Sequence, residues 1–412
     1  MIEFGLLGEK LGHSYSPQIH RVFGDYDYQL YPVGEEELKR ILTEKQFRGL
    51  NVTIPYKQAV LPFCDEISDS VRLIGSANTL VNRHGKIRAD NTDLPGFLTM
   101  IEMAGISLTG KKVIILGSGG TSLTAQAACK QQNARETVVV SRRGLVNYDT
   151  LYACHADAEV LINATPVGMY PHNLHSPVNL AAFPRLKGVA DVIYNPAKTA
   201  LILDAEEQHL PHTDGLRMLV AQAWHAARQF LGQDIPAQKM NEAYRSVRRE
   251  TLNLVLTGMP GCGKSTLGRE MAQRLGRTFV DLDVEIEKIA GPIPAIFAAQ
   301  GEAGFRDIES RVVETFGKES GLVIATGGGA ILRKSNVRTL RQNGVVAWVQ
   351  RPIEQLSQEG RPLSTGIDAL RRMADTRTPL YQAAADFFVR NTGTVTAAVQ
   401  QLWEGFNEAA GS

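Results

Sequence analysis

The sequence predicts an α/β protein built on mainly parallel sheets, and three observations carry that prediction. Short β-branched runs alternate with amphipathic helical patterns almost throughout its 412 residues. Two apolar strands each run into a glycine-rich turn and then a helical pattern, VIILGSGG at 113–120 and LVLTGMPGCGKS at 254–265. The chain is also longer than one hydrophobic core usually serves, so two or three domains are expected.

Taken in order, residues 2–7, 27–32 and 49–54 read as strands, with EEELKRILTE (35–44) an amphipathic helix between the second and third. LVNRHGKIRAD (80–90) reads as a hairpin turning near His84-Gly85. A helix runs from about Asp93 to Met103 and stops at Gly105, because glycine tolerates the left-handed geometry of a helix end. KKVIILG (111–117) opens a second unit, followed by the strand TVVVS (137–141). Residues 232–250 are polar and helix-prone, and the main boundary is expected at their end. A fresh strand–loop–helix starts at Leu252, and βα alternation then continues. The two glycine-rich turns differ in spacing, so they do not mark an internal repeat.

Bulk properties narrow the function. Lysine plus arginine number 44 against 43 acids, a net charge of +1, so no overall field favours nucleic acid. The cluster Arg245–Arg249 is expected to be a solvated helix face. Cys64, Cys129, Cys154 and Cys262 lie far apart with no CxxC pair, which suits a reducing cytosol without structural disulfides or zinc. MIEFGLLGEK has no long apolar core, so it does not read as a signal peptide, and no window approaches the roughly 18 apolar residues of a membrane span. A cytoplasmic protein is expected. The histidine pairs in HNLH (172–175) and HLPH (209–212) lack a supporting acid or cysteine and read as loop residues.

Gly258 to Ser265 fits G-x-x-x-x-G-K-[ST] in full, after a strand and before a helix. Such a loop turns successive backbone N–H groups toward phosphate oxygens. Gly258, Gly261, Cys262, Gly263, Lys264, Ser265 and Thr266 are therefore the expected ATP-binding set, with Lys264 on the β/γ-phosphates and Ser265 on Mg²⁺. Downstream stand FVDLDVEIE (279–287), GEAGFRDIE (301–309), ATGGGA (325–330), GRPLS (360–364) and TRTPLYQ (376–382). In this order and spacing, residues 252–407 closely resemble shikimate kinase. The resemblance implies that Asp281 helps hold Mg²⁺ and that Asp283 orients or deprotonates the attacking hydroxyl. It implies that Arg306 and Arg377 clamp the substrate carboxylate, and that Gly327, Gly328 and Gly329 let backbone approach the ring. Arg361 would belong to a lid over the transferred phosphoryl group. Arginine's planar fork suits a carboxylate, and phosphoryl transfer asks mainly for alignment and charge neutralisation. The strand LVIAT (322–326) ends without an acid, so metal binding leans on Ser265 and Asp281.

The earlier turn, Gly117-Ser118-Gly119-Gly120, lacks the full G-x-G-x-x-G spacing. The next strand ends in Ser141-Arg142-Arg143, where a basic side chain suits a 2′-phosphate and hence NADP. GEKLGHSYSP (8–17), GLNVTIPYK (49–57), GSANTLV (75–81), DNTDLPGF (90–97), INATPVGM (162–169), DVIYNP (191–196) and DGLRMLVAQA (214–223) closely resemble shikimate dehydrogenase, over nearly all of residues 1–245. That resemblance implies that Ser14 and Ser16 hold the substrate carboxylate, and that Thr53, Asn78 and Gln222 grip ring hydroxyls. Lys57 and Asp93 would form the catalytic pair and Tyr194 would line the pocket. Thr165 and Met218 would lie near the nicotinamide, and Gly215 would belong to the cofactor site. A hydride delivered to a ketone leaves charge on oxygen, which an ammonium can quench by giving up a proton. Taken alone, Lys57 reads as an exposed lysine and Asp93 as a helix cap. Arg21 stands where the family usually shows an amide, and the stretch from Arg143 to Ile162 is shorter than in many members.

The two resemblances imply an α/β substrate domain over 1–97, with helices of 223–245 packing back on it, and a Rossmann-type NADP domain over 98–222. They further imply a linker at 246–251 and a P-loop kinase domain over 252–412. A bifunctional enzyme is expected: NADPH reduces 3-dehydroshikimate to shikimate, and MgATP then phosphorylates it. The alternatives are a non-catalytic sensor of these metabolites, or one active half. A homodimer through the dehydrogenase half is a further expectation.

Overall fold

The computed structural model describes residues 2–12, 14–356 and 367–411. The chain divides into two compact units: Met1–Tyr194 with Leu201–Val247, and Asn195–Ala200 with Arg248–Ser412.

The first unit begins with a six-stranded sheet: β1 (Ile2–Gly8), β2 (Tyr28–Pro32), β3 (Phe47–Val52), β4 (Glu66–Ile67), β5 (Thr79–Arg83) and β6 (Lys86–Asp90), in the order β2-β1-β3-β5-β6-β4. Helices α1 (Ser16–Phe23), α2 (Glu35–Glu44), α3 (Asp69–Ile74) and α4 (Asp93–Met103) are interleaved with it. The expected hairpin is β5–β6, antiparallel with Arg83 opposite Lys86, and His84 and Gly85 carry the positive φ its turn needs. Strand alternation puts Leu7, Leu50, Leu80 and Ile87 on one face against Leu38 and Leu42 of α2. Phe4, Tyr28 and Val81 bury the other face against Phe230.

A five-stranded parallel sheet follows: β7 (Lys112–Leu116), β8 (Glu136–Val140), β9 (Val160–Asn163), β10 (Gly188–Asp191) and β11 (His212–Thr213), in the order β11-β10-β9-β7-β8. With it come α5 (Gly120–Gln131), α6 (Tyr148–His155), α7 (Ala200–Glu207), α8 (Gly215–Leu231) and α9 (Ala237–Thr251). Its strands β7, β9 and β10 are buried on both faces, so β7 and β9 read as near-continuous apolar runs rather than alternating ones. At one end of this sheet Glu159 accepts from Lys111 and Lys187 and pairs with Arg135. Lys187 first, then Lys111, hold its carboxyl down at about 2. A carboxyl depressed on folding adds stability above its unfolded value and loses it as the pH falls through the folded one. Glu159→Gln should therefore lower the melting temperature at neutral pH, with the deficit shrinking as the pH drops from about 4.5 toward 2; a deficit independent of pH would overturn this.

The second unit holds a parallel sheet of β12 (Asn253–Thr257), β13 (Phe279–Asp281), β14 (Val323–Ala325), β15 (Gly344–Gln350) and β16 (Phe387–Arg390), in the order β13-β14-β12-β15-β16. Its helices are α10 (Lys264–Leu275), α11 (Leu282–Ala290), α12 (Ile293–Gly317), α13 (Lys334–Gln342), α14 (Ile367–Ala384) and α15 (Val395–Gly411), packed on both faces. Helix α12 bends at Gly301, whose φ of 68° and ψ of −174° lie outside helical space. Residues 246–251, expected as a linker, are helical and end α9. Arg248 departs from the expected solvated face: it is buried, and its Nε donates to the Ala410 carbonyl at 3.0 Å. Charge runs say nothing about a backbone carbonyl brought in from residue 410. No helix among the described residues is long and apolar enough to cross a membrane.

Candidate active sites

Strand register assembles the first site. Asn51 of β3 lies opposite Thr79 of β5, which lies opposite Asp90 of β6. The residues past the end of β3, just before β5 and just past β6 therefore meet at one end of the sheet's central strands. Those residues are Lys57, Asn78 and Asp93. Lys57 Nζ sits 2.5 Å from Asp93 Oδ2, and Asn78 Nδ2 donates to Asp93 Oδ1 at 2.8 Å. Backbone bonds fix the turn that carries Lys57: Tyr56 N to Thr53 O at 2.9 Å and Ala77 N to Lys57 O at 2.8 Å. Asp93 opens α4, where the helix dipole favours a carboxylate. Its side chain caps nothing there and is instead spent on Lys57 and Asn78. The pair is partly open, the side chains retaining 30% and 17% of their accessibility.

Ser14 and Ser16 also meet, Oγ to Oγ at 3.1 Å, at the start of α1. The hydrogen bonds of Thr53 and Gln222 run elsewhere: Thr53 N to Leu7 O at 2.9 Å, and Gln222 Nε2 to Leu219 O at 2.8 Å. Gln222 nevertheless lies against α4, since a Cβ on Gly96 would come within 2.8 Å of its backbone N. Tyr194 is 40% exposed and packs edge-on to Tyr15.

In the second sheet β7 lies between β8 and β9, so the chain reverses its direction of travel beside β7, which is where open α/β sheets leave a ligand crevice. Gly117 stands at the carboxyl end of β7 with φ 103°, and a Cβ there would lie 2.8 Å from Ala164 O and 3.0 Å from Thr165 Cγ2. Thr165 is held by Asn163, which accepts from both its N and its Oγ1. Ser118, Gly119 and Gly120 are exposed, and α5 starts with no side-chain cap, leaving its N–H groups for an anion. Ser141, Arg142 and Arg143 follow β8 in a turn closed by Ser141 N to Val146 O, with both arginines exposed. Gly215 opens α8, its N bonded to Ile193 O, and Met218 is buried one turn on. Gly117, Thr165 and the exposed helix start suit a dinucleotide phosphate bridge.

The third sheet frames a cavity of about 560 Å³ lined by Gly261, Gly263, Lys264, Ser265, Thr266, Asp281, Asp283, Arg306, Gly327–Gly329 and Arg377. Lys264 is 9% exposed and donates to the carbonyls of Gly258 and Met259 at 2.9 and 3.1 Å, so it already spans the loop. Cys262 is buried beneath it. Ser265 Oγ donates to Asp281 Oδ2 at 2.6 Å, placing two hard oxygen ligands beside a helix start, a donor set that fits Mg²⁺. Asp283 approaches the glycine run: a Cβ on Gly327 would lie 2.6 Å from its Oδ1. A Cβ on Gly329 would collide with the Arg306 guanidinium. Arg306 donates to Glu309 at 2.7 Å, while its buried Nε has no partner among the described residues. Arg377 Nη1 donates to Gly328 O at 3.0 Å. Arg361 lies outside the described residues.

Sequence reasoning missed three residues here. Glu309, 1% exposed, sits three residues after Arg306 on α12, and burial pushes its carboxyl up despite that guanidinium. The i, i+3 spacing was its one available signal. Tyr381 is fully buried and donates to Gly328 O at 2.5 Å. Arg351 lines the cavity from the end of β15.

Comparison with known proteins decides the family. Shikimate dehydrogenase (NADP(+)) of Clostridium perfringens strain 13 is 33% identical over 265 residues, spanning 60% of this chain and 98% of that protein. The chain belongs to the shikimate dehydrogenase family. The family model for the shikimate dehydrogenase substrate-binding domain matches residues 6–80, and that for shikimate kinase matches 260–406. A solved chorismate mutase/shikimate 5-dehydrogenase fusion protein from Clostridium acetobutylicum is similar at TM-score 0.57 and 33% identity, covering 60% of this chain and 96% of that one. A Thermus thermophilus shikimate 5-dehydrogenase in complex with NADP(H) and shikimate is similar at TM-score 0.54 and 31% identity, covering 60% and 99%. The dehydrogenase likeness thus accounts for the first two sheets, and the shikimate kinase domain for the third.

Proposed function

We propose that this chain runs two consecutive steps on one ring: NADPH-dependent reduction of 3-dehydroshikimate to shikimate, then MgATP-dependent phosphorylation of shikimate to shikimate 3-phosphate. One observation carries the reading: shikimate dehydrogenase and shikimate kinase matches occupy successive parts of a single chain, each with its own polar site.

In the first step bound NADPH supplies the hydride. Lys57 gives its ammonium proton to the ketone oxygen as that oxygen gains charge, so hydride plus proton make the alcohol. Asp93 aims the ammonium, and Asn78 aims Asp93. Ser14 and Ser16 take the substrate carboxylate, while Thr53, Asn78 and Gln222 take ring hydroxyls and Tyr194 walls the pocket. Gly117 to Gly120 would hold the cofactor's phosphate bridge, and Thr165, Gly215 and Met218 would complete the cofactor site. Ser141, Arg142 and Arg143 receive the 2′-phosphate.

In the second step bound MgATP supplies the phosphoryl group. Asp283 accepts the proton of the attacking hydroxyl. Arg306 and Arg377 grip the carboxylate, and the Gly327–Gly329 backbone closes on the ring. Lys264 would neutralise the phosphates, and Ser265 and Asp281 would hold the metal.

The test is a coupled assay with 3-dehydroshikimate, NADPH and MgATP. Equal amounts of NADP⁺ and ADP should form. NADPH oxidation without ADP formation, or phosphorylation of added shikimate without reduction, would leave only one half active. Binding of both metabolites with no turnover would make the protein a sensor.

A further inference from the structure

We propose that Tyr28, Asn51 and Thr79 are positioning residues for ketone reduction, joined in a buried hydrogen-bond relay that fixes the orientation of Asn78 and through it the Asp93–Lys57 pair. The inference rests on the reading of that pair as the proton-donating couple. The relay starts at Tyr28, which is buried beside Phe4, Val81 and Phe230. Tyr28 Oη donates to Asn51 Oδ1 at 2.8 Å. Asn51 Nδ2 donates in turn to Thr79 Oγ1 at 3.2 Å and to Asn78 O at 3.3 Å. Thr79 Oγ1 reaches Asn78 Oδ1 at 3.0 Å, and Asn78 Nδ2 donates to Asp93 Oδ1 at 2.8 Å.

Each link has a direction, and the direction is what the relay contributes. Asn78 Oδ1 also accepts from Thr92 N at 2.7 Å and from Thr92 Oγ1 at 3.1 Å, so its carbonyl end faces three donors. Turning the amide over would set its NH₂ against the Thr92 N–H and present an oxygen to the Asp93 carboxylate. Asn51 is fixed the same way, because its carbonyl end meets the Tyr28 hydroxyl. Burial pushes the Tyr28 phenol well above its usual range, so that group stays a donor. Tyr28, Asn51, Asn78, Thr79 and Thr92 are at most 8% exposed, where a misdirected amide finds no water to rescue it. The Tyr28 ring is clamped by His20, stacked at 3.8 Å and 9°, and His20 Nδ1 is tied to Tyr26 Oη at 2.6 Å. β-Pairing of Asn51 with Thr79 holds the middle of the relay in register.

The test compares Tyr28→Phe, Thr79→Val and Thr79→Ser in the full chain, using shikimate phosphorylation and the melting curve as folding controls. Thr79→Val should lower kcat for reduction roughly tenfold, Tyr28→Phe several-fold and Thr79→Ser little, because only the last keeps the hydroxyl. The KM for NADPH should hold, and the pH profile of kcat should shift in Thr79→Val, since Asp93 would no longer be aimed at Lys57. Equal rates for Thr79→Val and Thr79→Ser would overturn the relay. So would a fall in kcat with an unmoved pH profile and a lower melting temperature, which marks a purely structural role. Lys57→Ala separates the two ideas: if it remains active, the pair itself is misassigned, whereas if it is inactive while the relay variants match the parent, only the relay fails.

Discussion

Lys57→Ala should lower reduction of 3-dehydroshikimate by about 10³-fold, the scale of losing a placed proton donor, and leave shikimate phosphorylation at the parent rate. The side chain makes a 2.5 Å contact with Asp93 and is still 30% accessible, so its ammonium is both aimed and reachable. Removing it takes away the acid without opening a core, because Asp93 keeps its bond from Asn78. NADPH oxidation followed by absorbance, with ADP release from added shikimate measured on the same preparation, gives both numbers. Reduction near the parent rate would remove Lys57 from the chemistry. Loss of both activities would instead indicate a folding defect.

Lys264→Ala should do the reverse, lowering phosphorylation by about 10³-fold while reduction continues. Lys264 is the cation at the head of α10 and is nearly buried, so no bulk ion easily takes its place. Its two bonds to the Gly258 and Met259 carbonyls also brace the loop. The variant should therefore bind ATP more weakly as well as turn it over more slowly. Calorimetric titration with ATP separates the two effects. Normal ATP turnover would refute the phosphate-cradle role of this residue.

How far sequence alone reaches differs between the two sites. The glycine-rich phosphate loop is a local object: one strand, one turn and one helix start make it, so contiguous residues spell it out. The glycines at 327–329 and the arginines at 306 and 377 were legible only as a set whose spacing resembled a known family, because each alone is an ordinary residue. Glu309 and Tyr381 gave no comparable sign. The i, i+3 spacing of Glu309 from Arg306 hints at a pair but not at its burial, and nothing near Tyr381 in the chain announces that it will share the Gly328 carbonyl with Arg377. The same holds for Arg248, which looked like a solvated charge and is buried on a carbonyl 162 residues away.

Alternating β-branched and amphipathic runs, read from the chain itself, determined the α/β class, the hairpin at His84-Gly85, the helix from Asp93 to Met103 and the nucleotide loop at 258–265. These depend on period and backbone preference within a few residues, which are properties of sequence. Tertiary structure decided what stands opposite what. It set Asn51 across from Thr79, brought Lys57, Asn78 and Asp93 to one end of the central strands, and turned the Asn78 amide toward a carboxylate. Hydrogen-bond direction in a water-free interior is a property of the whole surrounding network, and no single stretch of chain contains it.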